Sequence, residues 1–268
     1  MIDRGRGPLV VLVPGIQGRW EWMAPAVDAL AARCRVVTFS LCDEWGSGFR
    51  WRADRGFANY LDQIDEALGR AGAREAVIVG VSYGGAIAAE YAARRPQAVT
   101  GLALVSAITP DWTPDARARA CADAPWLMSP VFVAGAVRRM SAELAATFPS
   151  LTARAAFAAA QSWRVVRAFM WPPRMARRVR WFETHEFADV RVVGAPVLVV
   201  TGEDGLDQVV PTEVTKRYLQ WLPQARHAVI ERTGHVGCVT RPDRFAAVVA
   251  AFAREVEESG REPAQAAG

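Results

Sequence analysis

Residues able to serve as nucleophile, base and orienting acid lie far apart along this chain of 268 residues. Ser82 stands in Gly80-Val81-Ser82-Tyr83-Gly84-Gly85, between the apolar run Ala76–Val81 and an alanine-rich stretch from Gly84 to Arg94. A serine hydroxyl attacks a carbonyl when it projects from a tight turn and a neighbouring base takes its proton. Small residues two before and two after it relieve the crowding of that turn. A helix starting just beyond it aims N-terminal amides and partial positive charge at the reacting atoms. A bare G-x-S-x-G occurs by chance in glycine-rich turns; a strand before it and a helix after it are what make it a nucleophile elbow.

The base must come from three histidines, His185, His227 and His235. His227 falls inside a predicted strand, Ala225–Glu231, and reads as structural. His185, in Glu183-Thr184-His185-Glu186, reads as a surface or cap-packing side chain. His235, in Thr233-Gly234-His235-Val236-Gly237, follows the last predicted strand, and its flanking glycines let a loop present the ring. The base in turn needs a carboxylate to orient it. The loop Gly202-Glu203-Asp204-Gly205-Leu206-Asp207-Gln208-Val209-Val210-Pro211 offers Glu203, Asp204 and Asp207, and spacing alone does not choose among them.

The elements that would bring these residues together alternate. Leu9–Val13, Arg35–Phe39, Ala76–Val81, Val99–Val105, Pro196–Thr201 and Ala225–Glu231 read as strands. Trp22–Arg33, Asp54–Ala71, Gly84–Arg94, Thr212–Leu222 and Arg241–Glu257 read as helices, with Phe57, Leu61, Ile64 and Leu68 at helical spacing in the second. That order predicts an α/β fold: a parallel sheet of about six strands with helices on both faces. With only eight residues before the first strand, no N-terminal hairpin is expected. Between the two alternating halves, residues 107–189 lack strand pattern and are rich in tryptophan, alanine and arginine. They read as a helical cap inserted over the strand ends. The core is then 1–106 with 190–258, and 259–268 is a polar, flexible tail.

Composition excludes several classes. The chain is 51% hydrophobic with a formal net charge of +4, and Lys216 is its only lysine. So small an excess of positive charge, carried almost wholly by arginine, requires neither nucleic acid nor membrane as partner. Cys34, Cys42, Cys121 and Cys238 form no CxxC or metal-knuckle pattern and read as reduced thiols. No run is long enough for a membrane span, and Leu9–Val13 is too short for a signal-peptide core, so a cytoplasmic location is expected.

On these motifs the chain, from Leu9 to Glu257 apart from the insertion, resembles the α/β-hydrolase superfamily. The resemblance implies the order nucleophile, acid, histidine, hence Ser82, an acid near 204–207, and His235. The family's D-x-x-V-P spacing selects Asp207, with Pro211 opening the next helix. The loop is about two residues longer than usual, which keeps Asp204 as runner-up; members that place the acid one strand earlier make Asp111 a third candidate. The family's H-G-x-x-G turn is here Pro14-Gly15-Ile16-Gln17-Gly18, with proline in place of the histidine. By position the amides of Ile16 and Tyr83 are the expected oxyanion donors. Gln17, Trp20, Trp112 and Trp126 are the candidate pocket residues, with Trp22, Trp163 and Trp171 behind them, although a tryptophan in a helix is more often packing.

The implied activity is hydrolysis of a carboxylic ester with a small or medium apolar acyl part, through an acyl-enzyme, without metal or organic cofactor, by a monomer or homodimer. The same residues serve C–C bond hydrolases, thioesterases, aminopeptidases and acyltransferases of the family. A non-catalytic binding module on this fold is the reading from another class. Serine at position 82 argues against dehalogenase and epoxide-hydrolase chemistry, which use aspartate there.

Overall fold

The valine-rich runs are buried on both sides, as parallel strands between two helical layers must be. A computed structural model of the chain describes residues 1–266, with side chains described through Gly260. Strands β1 (Ile2–Arg4), β2 (Leu9–Val13), β3 (Arg35–Thr38), β4 (Ala76–Val81), β5 (Val99–Val105), β6 (Val197–Thr201) and β7 (Arg226–Val229) form one sheet in the order β1-β3-β2-β4-β5-β6-β7. From β2 to β7 every pairing is parallel. The connecting helices are α1 (Ala24–Ala31), α2 (Asn59–Arg70) and α3 (Tyr83–Arg94), then α4 (Ala116–Asp123), α5 (Pro125–Thr147), α6 (Leu151–Arg167) and α7 (Pro172–Glu183) between β5 and β6. Beyond them come α8 (Thr212–Trp221), α9 (Gly237–Thr240) and α10 (Pro242–Ala266).

Alternate residues of each strand serve opposite layers. Val11, Val13, Val37 and Ile78 pack with α2, α3 and α8 side chains such as Leu61, Ile64, Ile87 and Tyr218. Val10, Leu12, Val36, Val77 and Val79 pack with Val27 and Leu30 of α1 and Phe245, Val249 and Phe252 of α10. Each such side chain, fully buried, contributes about 1.5–3 kcal/mol relative to exposure. The chain leaves β2 toward β3 on one side, and the next strand, β4, adds on the other. β2 and β4 therefore flank the point where strand order reverses, and the crevice beyond their carboxyl ends is where open α/β sheets bind ligands.

The six parallel strands match expectation, and a seventh adds to them. Ile2–Arg4 is too short for a hairpin with β2, yet it pairs antiparallel with the far edge of β3, Ile2 opposite Thr38 and Arg4 opposite Val36. α2 begins at Asn59 rather than Asp54, because Gly56 takes φ 50°, ψ −129° and leaves residues 53–58 as a kinked 3₁₀ stretch. At the other end α10 continues helical to Ala266, so the backbone of most of the expected tail is helix; residues 267 and 268 lie outside the described residues. Among the described residues no helix is long and apolar enough to cross a membrane.

Candidate active site

β4 ends at Val81 and α3 starts at Tyr83, which leaves Ser82 alone to turn the chain. It does so at φ 58°, ψ −120°, a conformation that side chains seldom adopt. The neighbouring glycines show why they are needed. A Cβ on Gly80 would stand 2.2 Å from the Gly84 carbonyl oxygen, and one on Gly84 would stand 2.5 Å from the carbonyl oxygens of Val13 and Pro14. The elbow is thus packed backbone against backbone, on itself and on the turn after β2. The Ser82 amide donates to Val105 O at 2.9 Å, tying the turn to β5.

His235 and Asp207 reach this serine from the loops after β7 and β6. His235 Nε2 lies 3.1 Å from Ser82 Oγ, and its Nδ1 lies 3.0 Å from Asp207 Oδ2. With the Nδ1 proton on the carboxylate side, Nε2 accepts the serine hydroxyl. Asp207 is held in place because its Oδ1 accepts from the amides of Val209 at 3.0 Å and Val210 at 2.8 Å. Asp207 is 5% exposed and Ser82 9% exposed. Burial pulls the His235 imidazole down, but the charge and hydrogen bond of Asp207, with Glu143 adding to them, outweigh it and hold the ring above its ordinary value.

The other acids are engaged elsewhere. Asp204 Oδ1 accepts from Thr212 Oγ1 at 2.7 Å and Lys216 Nζ at 2.6 Å, contacts that hold its carboxyl below the usual range, the lysine first. Glu203 accepts from the Arg232 amide at 2.8 Å, and Asp111 pairs with Arg217 on the surface. His227 meets Thr201 Oγ1 at 2.9 Å on the edge strand; His185 meets Glu90 at 2.8 Å and stacks on Phe57.

The turn after β2 is closed by Gly18 N–H to Gly15 O at 2.9 Å, and Ile16 is its second residue. The Ile16 side chain packs on Ala122, Ala176 and Val179 of α4 and α7. Tyr83 is the first residue of α3, so no carbonyl one turn earlier claims its amide. Its phenol is buried and donates to Arg178 O at 3.0 Å. The Gln17 amide oxygen folds back over Gly15, 2.8 Å from where a Cβ would stand.

The tryptophans divide. Trp20 packs on the α1–α10 layer. Trp22 donates to Ala168 O at 2.8 Å, joining the first helical turn to the α6–α7 link. Trp112 packs edge-on against Phe182 and lines an open depression of about 270 Å³ with Phe187, whose walls include none of Ser82, Asp207 and His235. A second depression, of about 470 Å³, lies among Arg55, Asp62, Arg94 and His185, again apart from those three. Trp126 is 52% exposed and edge-on to Trp171, and Trp163 is 60% exposed under Arg167.

Two features escape a reading of spacing. One is a buried ion cluster under the turn after β2. Arg178, fully buried, donates from Nη2 to Asp43 Oδ1 at 2.8 Å and Glu44 Oε1 at 2.5 Å, and from Nη1 to Ile16 O at 2.8 Å. Arg174 donates to Glu44 Oε2 at 2.9 Å. Burial alone would lower the Arg178 guanidinium; Asp43, then Tyr60 and Glu44, override it and hold it above its ordinary range. The available signal was two arginines four apart on a helix and an adjacent acid pair in the 40–55 loop. The other feature is Glu143 of α5, 1% exposed, against the loop that carries His235; no sequence pattern marked it.

Cys34, Cys42 and Cys238 are buried free thiols and Cys121 is half-buried. Among the described residues no group of three or more His, Cys, Asp or Glu side chains could hold a metal ion.

The family model described as the alpha/beta hydrolase fold matches residues 8–242. A protein of Caulobacter sp. (strain K31) named "Putative carbamate hydrolase RutD" is 28% identical over 253 residues, covering 91% of this chain and 89% of its own. A protein of the same name from Azorhizobium caulinodans is 24% identical, covering 95% of this chain and 94% of its own. Among solved structures, a thermophilic esterase from Thermogutta terrifontis superposes with a TM-score of 0.77 at 21% identity, over 95% of this chain and 92% of that one. An esterase from Rhodococcus sp. ECU1013 gives 0.73 at 25%, over 95% and 94%. With a family model spanning most of its length, the chain belongs to the alpha/beta hydrolase fold family.

Proposed function

We propose that this protein is a serine hydrolase in which Ser82 is the nucleophile, His235 the base and Asp207 the acid that orients it, cleaving a carboxylic ester with a small or medium apolar acyl part. The observation that carries this reading is the row of contacts from Ser82 Oγ to His235 Nε2 at 3.1 Å and from His235 Nδ1 to Asp207 Oδ2 at 3.0 Å. As Ser82 Oγ bonds to the substrate carbonyl carbon, its proton passes to His235 Nε2 and Asp207 stabilises the imidazolium. The amides of Ile16 and Tyr83 receive the developing oxyanion; removal of one such donor costs about 10²–10³ in rate. The leaving group departs with the proton from His235. Water, deprotonated by the same ring, then releases the acid and restores Ser82. Residues 107–189 act as the cap that shapes the acyl site, and the Ile16 contact with α4 and α7 supports that role.

A second reading is hydrolysis of a carbamate, favoured by the name of relatives aligned over nearly the whole chain. The attack is the same; a carbamate differs in the nitrogen bound to its carbonyl carbon. The test is release of p-nitrophenol from a series of p-nitrophenyl acyl esters and p-nitrophenyl carbamates by purified protein. Ser82→Ala is expected to lower kcat by several orders of magnitude. An unchanged rate in that variant rules out Ser82 as nucleophile, and turnover of the carbamates alone selects the second reading.

A further inference from the structure

α5 is held to the rest of the molecule in an unusual way. Its buried side chains are Glu143 and Thr147, one helical turn apart and both polar. Leu127, Val131, Val133 and Val137 of the same helix stand exposed. A helix that exposes leucine and valine while burying a glutamate is not attached by an apolar stripe.

Both buried groups meet the loop that carries His235. Glu143 Oε2 accepts from the Val236 amide at 3.1 Å, and Oε1 accepts from Thr240 Oγ1 at 3.2 Å. Thr147 Oγ1 donates to Arg232 O at 2.7 Å, and Arg232 Nε donates back to Ala146 O at 2.8 Å. Residue 236 is the one after the histidine, so the Glu143 carboxylate bears directly on the backbone that sets the imidazole.

Resting on the reading of Ser82, His235 and Asp207 given above, we propose that Glu143 is a positioning residue for the reaction. It holds the His235 loop through Val236 and Thr240, and it supplies a second negative charge, besides that of Asp207, that favours the imidazolium formed when Ser82 attacks. The proton goes from Ser82 Oγ to His235 Nε2, and Glu143 takes none. Oε2 accepts from the Val236 amide, and Oε1 shares the single Thr240 hydroxyl proton with Val236 O, also 3.2 Å away. Burial pushes the Glu143 carboxyl up, while the Val236 and Gly234 amides, His235 and Thr240 draw it down without cancelling that rise. The other groups that face this pair are Arg139, one turn earlier on α5, which opposes the charge on His235, and Cys238 of α9. The Cys238 thiol, pushed up to about 12 by burial and then by Glu143, remains neutral.

The experiment compares wild type, Glu143→Gln and Glu143→Asp by the rate at which a fluorophosphonate labels Ser82 across the acid side of neutrality, with thermal unfolding measured in parallel. Glutamine keeps the size and an acceptor for Val236 but loses the charge. Its plateau rate is expected to fall about threefold to tenfold, and its acid limb to move to lower pH by about half a pH unit or more, because the imidazole loses a neighbouring negative charge. Aspartate keeps the charge and is expected to leave the limb where wild type has it. A purely structural role would lower the plateau together with the melting temperature and leave the limb in place, and that result overturns the inference, as does a Gln profile coincident with wild type. Failure of wild-type Ser82 to label overturns the parent reading and this inference with it; a labelled wild type with an unmoved Gln limb overturns this inference alone.

Discussion

Among the places where the helices between β5 and β6 hold to the rest of the molecule, two flank the candidate site and differ in kind. Under the turn after β2, α7 contributes Arg178 and Arg174 to a buried cluster with Asp43 and Glu44, and the same Arg178 binds Ile16 O. Beside the His235 loop, α5 contributes one carboxylate and one hydroxyl. The first anchor is charge against charge with water excluded, so that removing one member leaves the others uncompensated. The second is a few hydrogen bonds, worth about 0.5–1.5 kcal/mol net where both partners are neutral and about 1.5–3 kcal/mol to the Glu143 carboxylate, with no cation paired to it among the described residues. The two sides of one candidate site are therefore held with unequal strength, and the weaker side bears His235. Local opening of a fold begins where buried contacts are fewest. On that ground the end of α5 and residues 230–240 loosen before the turn at Ile16 does.

The largest effect is expected at Arg178. Arg178→Met fills much of the same volume but leaves Asp43 and Glu44 buried with only Arg174 and the more distant Arg177 to balance them. The expected loss is about 3–5 kcal/mol of unfolding free energy, read as a lower denaturant midpoint at unchanged slope. Adding Asp43→Asn and Glu44→Gln to the same chain is expected to recover a large part of it, because the stranded charges are then gone. A loss below about 1 kcal/mol in the single variant would mean that the cluster is not the stronger anchor.

How much of this was legible follows the same division. Ser82, His235 and the sheet that joins them could be read because each is tied to a local pattern: an apolar strand, a glycine-relieved turn, a loop after a strand end. Asp207 needed more than spacing, since Glu203 and Asp204 share its loop; what separates it is that Val209 and Val210 turn their amides onto it while Asp204 turns out to Thr212 and Lys216. Glu143 and Arg178 were not legible. Both lie in helices whose charged residues resemble a solvated face, and their burial depends on loops more than 90 residues away in sequence. The seventh strand escaped for a different reason. Three residues carry too little periodicity to register, and β1 pairs with β3, two strands on, instead of with its neighbour.

The weaker anchor gives a smaller and more local effect. Thr147→Val keeps the shape of the side chain and removes the 2.7 Å bond to Arg232 O. The expected cost is about 1 kcal/mol in global stability. Hydrogen exchange gives the sharper measurement. Amides from 230 to 240 are expected to exchange faster than in wild type, with those at 16–18 unchanged. Equal acceleration at both places would show that the two anchors open as one unit, and the distinction drawn between them would fail.

The smallest effect is expected at Trp126, which the sequence offered as a pocket residue. It lies in the first turn of α5, at the end of the helix remote from Glu143, and half of its surface is in solvent. What it touches is Trp171, edge-on at 4.7 Å between ring centroids. Loss of one aromatic pair costs about 0.5–1.5 kcal/mol. Trp126→Ala is therefore expected to leave kcat and KM on p-nitrophenyl esters within about twofold of wild type, the scale of a surface substitution away from special features. A tenfold or larger rise in KM would return this tryptophan to the acyl site. It would also mean that the first turns of α5 close over the substrate, in which case the helix anchored by Glu143 and Thr147 reports on both binding and base positioning and the two effects must be separated by measuring Trp126→Ala in the Glu143→Gln background. With Trp126 silent, the contribution of α5 is confined to its last turns, where a glutamate and a threonine meet the histidine loop.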